Sequence, residues 1–307
     1  MSDGARVGIL GATGHIGRAL AVELASSCSL TLYARRPAAA LEFARSQRLD
    51  PLPAVRGLTE LDSVEHDALV NCIGLGDPAA VSNKESFDSV TRWADELAIE
   101  YLRRHPSARL VNMSSGAAYC SDFRSPARGG DLPDLRTGAS ATCDAYSCAK
   151  RDSEIRHRRE QDVAIVDLRV FGFFSRYISE EASYFMSAVL RALRAGSTLV
   201  TNASDFMRDY VAPRDLARLV RFCVDADPVN TAFDVYSASP VSKFEVLDEF
   251  VHRFGLTYSV EKMGAQRDGK SAYYSLDRSA RLLGYEPTLT SLEVLTGETN
   301  EILKAKK

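Results

Sequence analysis

One tryptophan, five histidines and six cysteines are all that the 307-residue chain offers of its scarcer side chains. The cysteines, at 28, 72, 120, 143, 148 and 223, form no Cys-x-x-Cys pair, and none has a histidine at zinc-ligand spacing. That pattern argues against a metal centre. Cys72 and Cys223 lie in apolar stretches and read as small core residues. No apolar run approaches the ~18 residues of a membrane span. Neither charge dominates: 38 basic against 41 acidic residues leave a net charge of −3, with no general attraction for nucleic acid or an anionic membrane. Met1-Ser-Asp-Gly-Ala-Arg6 leads straight into Val7-Gly8-Ile9-Leu10, too short for a signal-peptide core, so a cytoplasmic, reducing compartment is expected. Gly/Ser linkers, low-complexity segments and repeats are missing too. What is present is ordinary for a globular chain: 45% apolar and 26% charged residues, enough for one large domain, or one with a smaller appendage.

Over the first 170 residues, short apolar runs alternate with longer amphipathic ones. Val7–Leu10, Leu30–Ala34, Ala68–Ile73, Arg109–Met113 and Val163–Val170 read as buried strands. Arg18–Ser26, Pro37–Arg48, Ser86–Arg104 and Tyr146–Glu160 read as helices. Apolar strands alternating with helices predict an α/β fold, a doubly wound parallel sheet covered on both faces. Beyond about residue 172, helices dominate: Glu181–Ala195, Pro213–Ala226, Lys243–Phe254 and Thr290–Lys304, interrupted by short strands at Leu199–Asn202, Ala232–Tyr236 and Tyr258–Glu261. Ser242-Lys-Phe-Glu245 is a capping-box sequence, and Pro213 suits a first helical turn. The expected division is a dinucleotide-binding domain over 1–172 and a smaller, mostly helical substrate cap over 173–307, some of whose segments return to the sheet.

Glycines 11, 14 and 17 stand between the first strand and the first helix, in Gly11-Ala-Thr13-Gly14-His15-Ile16-Gly17. Missing side chains let the backbone turn tightly and approach a diphosphate, and the following helix start supplies oriented N–H donors. The second strand ends in Ala34-Arg35-Arg36-Pro37, with no carboxylate to accept from a ribose 2′-hydroxyl. Guanidinium groups at Arg35 and Arg36 suit a 2′-phosphate, so NADP(H) is expected over NAD(H).

Tyr146-Ser-Cys-Ala-Lys150 puts a phenol and an ammonium on one helix face. At ~4 Å and an effective dielectric of ~20 the cation is worth about 4 kcal/mol, enough to bring a phenol from about 10 toward neutrality. The pattern alone is weak, since Tyr258-Ser-Val-Glu-Lys262 repeats it in a strand-like stretch. Position separates the two. Tyr146 follows Val111-Asn-Met-Ser114-Ser115, an apolar strand ending in hydroxyls, where ligands of open α/β sheets bind.

With these residues the chain resembles the extended short-chain dehydrogenase/reductase family of nucleotide-sugar epimerases, dehydratases and reductases. The glycine run matches its Gly-x-x-Gly-x-x-Gly, Tyr146 and Lys150 its Tyr-x-x-x-Lys, and Ser115 its catalytic Ser/Thr. Asn71-Cys72-Ile-Gly74 takes the strand-four position beside the cofactor. Leu168-Arg169-Val-Phe171, Arg208-Asp209-Tyr210-Val211 and the Asp277–Pro287 segment resemble C-terminal landmarks. The resemblance implies a Rossmann fold and hydride transfer. Tyr146 would exchange a proton with the substrate oxygen, Lys150 would hold the nicotinamide ribose, Ser115 would bond the substrate oxygen, and Arg208 would grip a substrate diphosphate. Gly116-Ala117 after Ser115 lacks the Asp-Glu pair of the dehydratases.

The resulting expectation is an NADPH-dependent ketoreductase acting on a nucleotide-linked deoxysugar. The alternatives are an epimerase that recycles its cofactor and a non-catalytic NADP-binding regulator. Helices Ser86–Arg104 and Tyr146–Glu160 match the pair that relatives use for a dimeric four-helix bundle, so a homodimer is expected, with Trp93 and Tyr101 facing either the partner or the core. The polar Cys120–Ala145 segment is expected to rim the site.

Overall fold

A computed structural model describes residues 4–75, 84–129, 143–261 and 270–305. Seven strands form the central sheet: β1 (Arg6–Leu10), β2 (Ser29–Tyr33), β3 (Ala54–Arg56), β4 (Ala68–Asn71), β5 (Arg109–Ser115), β6 (Ala164–Val170) and β9 (Asn230–Val235). Their order is β3-β2-β1-β4-β5-β6-β9, and every pairing is parallel. This is the expected doubly wound Rossmann α/β sheet, widened by an edge strand from the C-terminal part.

Alternation along each strand sends neighbours to opposite faces. Ile9, Val70, Val111 and Leu168 pack on one side against α1 (His15–Leu24), α2 (Pro37–Ser46) and α6 (Pro213–Asp225). Leu10, Leu69, Leu110 and Ile165 pack on the other against Ala98, Tyr101 and Leu102 of α3 (Lys84–Arg104). Helix α4 (Ala145–Arg159) lies beside α3. A further apolar cluster lies in the C-terminal part, where α5 (Phe185–Ala195), α7 (Lys243–Phe254) and α8 (Ser291–Lys304) meet through Leu190, Leu247, Phe250 and Leu295. Two short sheets complete that part. Strand β7 (Leu199–Asn202) pairs with β11 (Tyr258–Glu261), and β8 (Met207–Arg208) lies between β10 (Val241–Ser242) and β12 (Ala272–Tyr273).

Local chemistry sets most boundaries. Ser242 caps α7 with the reciprocal Glu245 bond that the sequence predicts, Thr290 and Glu293 do the same for α8, and Pro213 opens α6. Two starts differ from expectation by three or more residues. Helix α1 begins at His15 rather than Arg18, because Gly14 is its N-cap and the glycine loop is shorter than it reads. Helix α5 begins only at Phe185, with Tyr184 as N-cap and no cap from its side chain. Tyr258 lies in a strand, as position implied, with its hydroxyl 3.1 Å from an Asp248 oxygen; Lys262 lies outside the described residues. So do residues 130–142, half of the segment expected to rim the site. Among the described residues, no helix is long and apolar enough to cross a membrane.

Candidate functional site

The first turn of the sheet is built around glycine. Gly11 has φ of 76°, and a Cβ there would come within 3.0 Å of the Cys72 carbonyl on the neighbouring strand. A Cβ on Gly17 would lie 2.4 Å from the Gly11 carbonyl oxygen, so only glycine lets α1 pack down on its own loop. Helix α1 has no side-chain N-cap, which leaves its first N–H groups for a ligand. The loop lacks side chains where a diphosphate would lie, so it fits a dinucleotide. His15 rests edge-on against Phe173, and burial lowers its imidazole pKa to about 4. It is therefore neutral at pH 7.

A cavity of about 780 Å³ opens from this loop over the C-terminal ends of β4, β5 and β6. Gly14, His15, Ile16, Cys72, Gly74, Ser115, Tyr146, Lys150 and Arg208, all singled out in the sequence, line it. Of the remaining sequence candidates, Gly11 and Thr13 belong to the loop itself and Gly17 to the first turn of α1. Arg35 and Arg36 stand exposed beyond the end of β2 and do not line the cavity.

Each cavity residue has a structural reason for its place. Ser115 ends β5 and caps the 3₁₀ turn 116–119, its Oγ accepting from Ala117 N at 3.2 Å. Gly116 is forced: a Cβ would strike the Phe171 ring at 2.4 Å. Tyr146 lies in the first turn of α4 and meets Phe87 edge to face, ring centres 5.7 Å apart. Lys150, one turn on, is buried and donates to the Met113 carbonyl at 2.9 Å. That bond fixes the ammonium at the cavity floor, near Gly74.

From the cap side, Arg208 on β8 donates to the carbonyls of Met207 (2.9 Å) and Lys270 (2.6 Å), its guanidinium over the Phe206 ring. Two further side chains come with it that sequence reasoning missed. The Tyr273 hydroxyl is 3.1 Å from Ser115 Oγ, and burial, reinforced by Tyr146, pushes its pKa up. Lys270 lies 3.8 Å from Asp144 with its pKa lowered by burial. Only their position just before the Asp277 landmark could have flagged them. No motif spacing links 115 to 273.

A family model for the NAD dependent epimerase/dehydratase family matches residues 7–236, about three quarters of the chain. The chain belongs to that family. An uncharacterised protein of Methanocaldococcus jannaschii is 24% identical over 213 residues, which covers 67% of this chain and 63% of that one. The chain thus spans less than two thirds of that curated relative. Among solved structures, UDP-glucose 4-epimerase of Thermotoga maritima with UDP-glucose aligns at TM-score 0.79 and 14% identity, over 98% of this chain and 100% of that one. MoeE5 in complex with UDP-glucose and NAD aligns at 0.77 and 19%, over 98% and 100%. At these identities the likeness is one of fold.

In this family member the helix that carries Tyr146 and Lys150 is seated by buried charge. His157 lies between Asp167 (2.9 Å) and Asp95 (3.3 Å), all three buried. Burial alone would lower the imidazole pKa, but Asp167 and then Asp95 outweigh it and raise it to about 10. Asp167, opposed by its own burial, is held at about 2 by His157 and Arg158, and accepts from Asn112 at 2.6 Å. One turn nearer the cavity, Glu154 accepts from Ser114 Oγ and from Arg169 of β6. Arg169 is thereby a structural cation beneath the site. Tyr119, just past Ser115, donates to Asp234 at 2.7 Å.

The cysteines depart from their sequence reading. Cys120 and Cys143, 23 residues apart, form a disulfide, which the expectation of a reducing compartment did not anticipate. Together with Cys148 they form a three-sulfur group that no spacing rule flags. Cys223 is a buried core residue as expected, and Cys72 packs against the same core while half-buried.

Proposed function

We propose that this chain is an NAD(P)-dependent nucleotide-sugar epimerase that oxidises one sugar carbon and reduces it again on the opposite face. Supporting it most directly is one observation: Ser115, Tyr146 and Lys150 converge on a single cavity that opens from the glycine loop. The structural neighbours, one a 4-epimerase with UDP-glucose and one in complex with UDP-glucose and NAD, favour this reading over a net reductase. Elimination is disfavoured, since Gly116 and Ala117, directly after Ser115, carry no acid or base.

Residues 11–17 and the N–H groups of α1 would hold the cofactor diphosphate, with Lys150 and Gly74 beside the nicotinamide ribose. When bound, the nicotinamide would supply the hydride acceptor and donor. The chain's own residues handle the proton and the pose. Tyr146 takes the hydroxyl proton of the reacting carbon as the carbonyl forms and gives it back on re-reduction. Lys150, anchored on the Met113 carbonyl, keeps its ammonium at the cavity floor during that exchange. Ser115 hydrogen-bonds the same substrate oxygen. Arg208, with Lys270 nearby, faces the negative diphosphate of the substrate. In this reading residues 1–172 serve the cofactor and the cap over 173–307 serves the substrate. Helices α3 and α4 form a homodimer interface, with Trp93 left 44% exposed on α3.

One observation favours the NADPH-dependent ketoreductase as a second reading: Arg35 and Arg36 are exposed where a carboxylate would read a free 2′-hydroxyl. Incubation with a panel of UDP-, dTDP-, GDP- and CDP-sugars separates the two. The epimerase reading expects interconversion of epimers with no net change in nicotinamide absorbance. Stoichiometric NADPH oxidation by a ketosugar nucleotide without epimer exchange would favour the reductase. Tyr146→Phe tests both against a non-catalytic regulator, because catalysis must fall by orders of magnitude while cofactor binding survives.

A further inference from the structure

The disulfide joins the two segments that carry the serine and the tyrosine. Cys120 ends the 3₁₀ turn that Ser115 caps, is buried, and has φ of 50°. Cys143 directly precedes Asp144, the N-cap of α4, whose carboxylate accepts from Ser147 N at 2.7 Å. The two Cα atoms are 4.9 Å apart. A third sulfur completes the group: Cys148, one turn into α4, lies outside the disulfide, and all three sulfurs fall within 4.8 Å of one another. Its thiol also approaches the Cys143 carbonyl at 3.6 Å. The group is graded in exposure, with Cys120 buried and Cys143 and Cys148 half-buried. By contrast Cys72 and Cys223 have thiols pushed up to about 12 by burial, which leaves them unreactive.

We propose that Cys120, Cys143 and Cys148 form a thiol–disulfide exchange site that reacts with small-molecule thiols and disulfides. It controls whether the Ser115 segment is tied covalently to the start of α4. Internal exchange needs no oxidant. Cys148 gives its proton to water, and its sulfur attacks Cys143. The Cys143–Cys148 bond forms as the Cys120–Cys143 bond breaks, and the departing Cys120 thiolate takes up a proton. Reduction consumes two small-molecule thiols. The first attacks the more accessible Cys143, forms a mixed disulfide and expels Cys120. The second attacks the outer sulfur, frees Cys143 and leaves as the small-molecule disulfide. Oxidation runs the same steps backward, with that disulfide as the electron acceptor.

The test takes the full chain, purified without reductant, through buffers of varied reduced-to-oxidised glutathione ratio, followed by alkylation and peptide mass mapping. Expected are a dominant Cys120–Cys143 cross-link at oxidising ratios, a minor Cys143–Cys148 cross-link beside it, and reversible loss of both on reduction, with the melting temperature falling by several degrees. Cys148→Ser must abolish the minor species and keep the main one. Cys120→Ser must make Cys143–Cys148 the main one. Alkylation of Cys120 and Cys143 at every ratio would overturn the proposal, as would a Cys120→Ser chain that forms no second bridge. Zinc bound one to one, with labelling only after chelation, would make the cluster a metal site and equally overturn it. None of these readouts involves sugar turnover, so the proposal stands or falls apart from the epimerase reading.

Discussion

Ser115 has one hydrogen and two lone pairs, and the structure accounts for most of them. Ala117 N–H occupies one lone pair at 3.2 Å, and the Tyr273 hydroxyl sits at 3.1 Å. Burial keeps Tyr273 protonated, so it can donate into the second lone pair. In the proposed mechanism the serine hydrogen is then left to point at the substrate oxygen, and hydrogen bonds in series strengthen one another. Tyr273 is thus a positioning residue. Tyr273→Phe is expected to lower kcat about tenfold, the worth of one ~1.4 kcal/mol hydrogen bond, with cofactor affinity unchanged. Steady-state kinetics beside a cofactor titration checks this, and an unaltered kcat would sink it. Tyr146→Phe is expected to cost ~10²–10⁴-fold in kcat, again with cofactor binding retained. The sequence made Ser115, Tyr146 and Lys150 legible because chain position discriminated Tyr146 from its duplicate at Tyr258. Tyr273 was not legible, because its contact joins residues 158 apart through a two-residue strand.

Helix α4 shows why the element that matters most is hardest to read. Its buried face carries Ser147, Lys150, Ser153, Glu154 and His157 rather than an apolar stripe. Periodicity finds a helix there but misses what seats it, since the partners Asp95, Ser114, Asp167 and Arg169 come from other elements. Breaking such a buried pair leaves an uncompensated charge. His157→Leu should therefore destabilise the fold by ~3–5 kcal/mol, measured by denaturant unfolding. The pH dependence has a definite sign. His157 titrates higher when folded, so its contribution is complete below the unfolded value near 6.5 and is lost as pH rises through about 10. Asp167 titrates lower when folded, so its contribution is complete above about 3.8 and is lost as pH falls through about 2. Melting temperature against pH should show an alkaline decline that is weaker in His157→Leu. An identical slope in the two proteins would contradict the assignment. Elsewhere the elements were readable. The Ser242 capping box and Pro213 marked two helices, and fully apolar strands marked the sheet. Where no cap chemistry existed, at the starts of α1 and α5, the boundaries slipped by three or four residues.

At the scale of the whole molecule, two apolar cores flank one cavity. The sheet core fixes the glycine loop and the ends of β4, β5 and β6, while the cap core fixes α5 and, through β8, Arg208. The return of α6 and β9 to the sheet accounts for the widened sheet. Tyr101, which the sequence left facing either way, is buried and donates to the Val64 carbonyl at 3.0 Å, whereas Trp93 is exposed. If α3 and α4 pair across a homodimer, Trp93→Glu will shift sedimentation from dimer to monomer at micromolar concentration. An unchanged sedimentation coefficient would remove Trp93 from any interface.

The central claim is that chemistry here proceeds by hydride removal and return at one sugar carbon, with Tyr146 carrying the proton. The most direct measurement uses the nucleotide sugar that the panel identifies, deuterated at the carbon whose configuration inverts, in ordinary water. The expected product is an epimer that keeps its deuterium at that carbon, formed ~10²–10⁴-fold more slowly by Tyr146→Phe. Deuterium washed out to solvent would mean deprotonation instead of hydride transfer and would contradict the account.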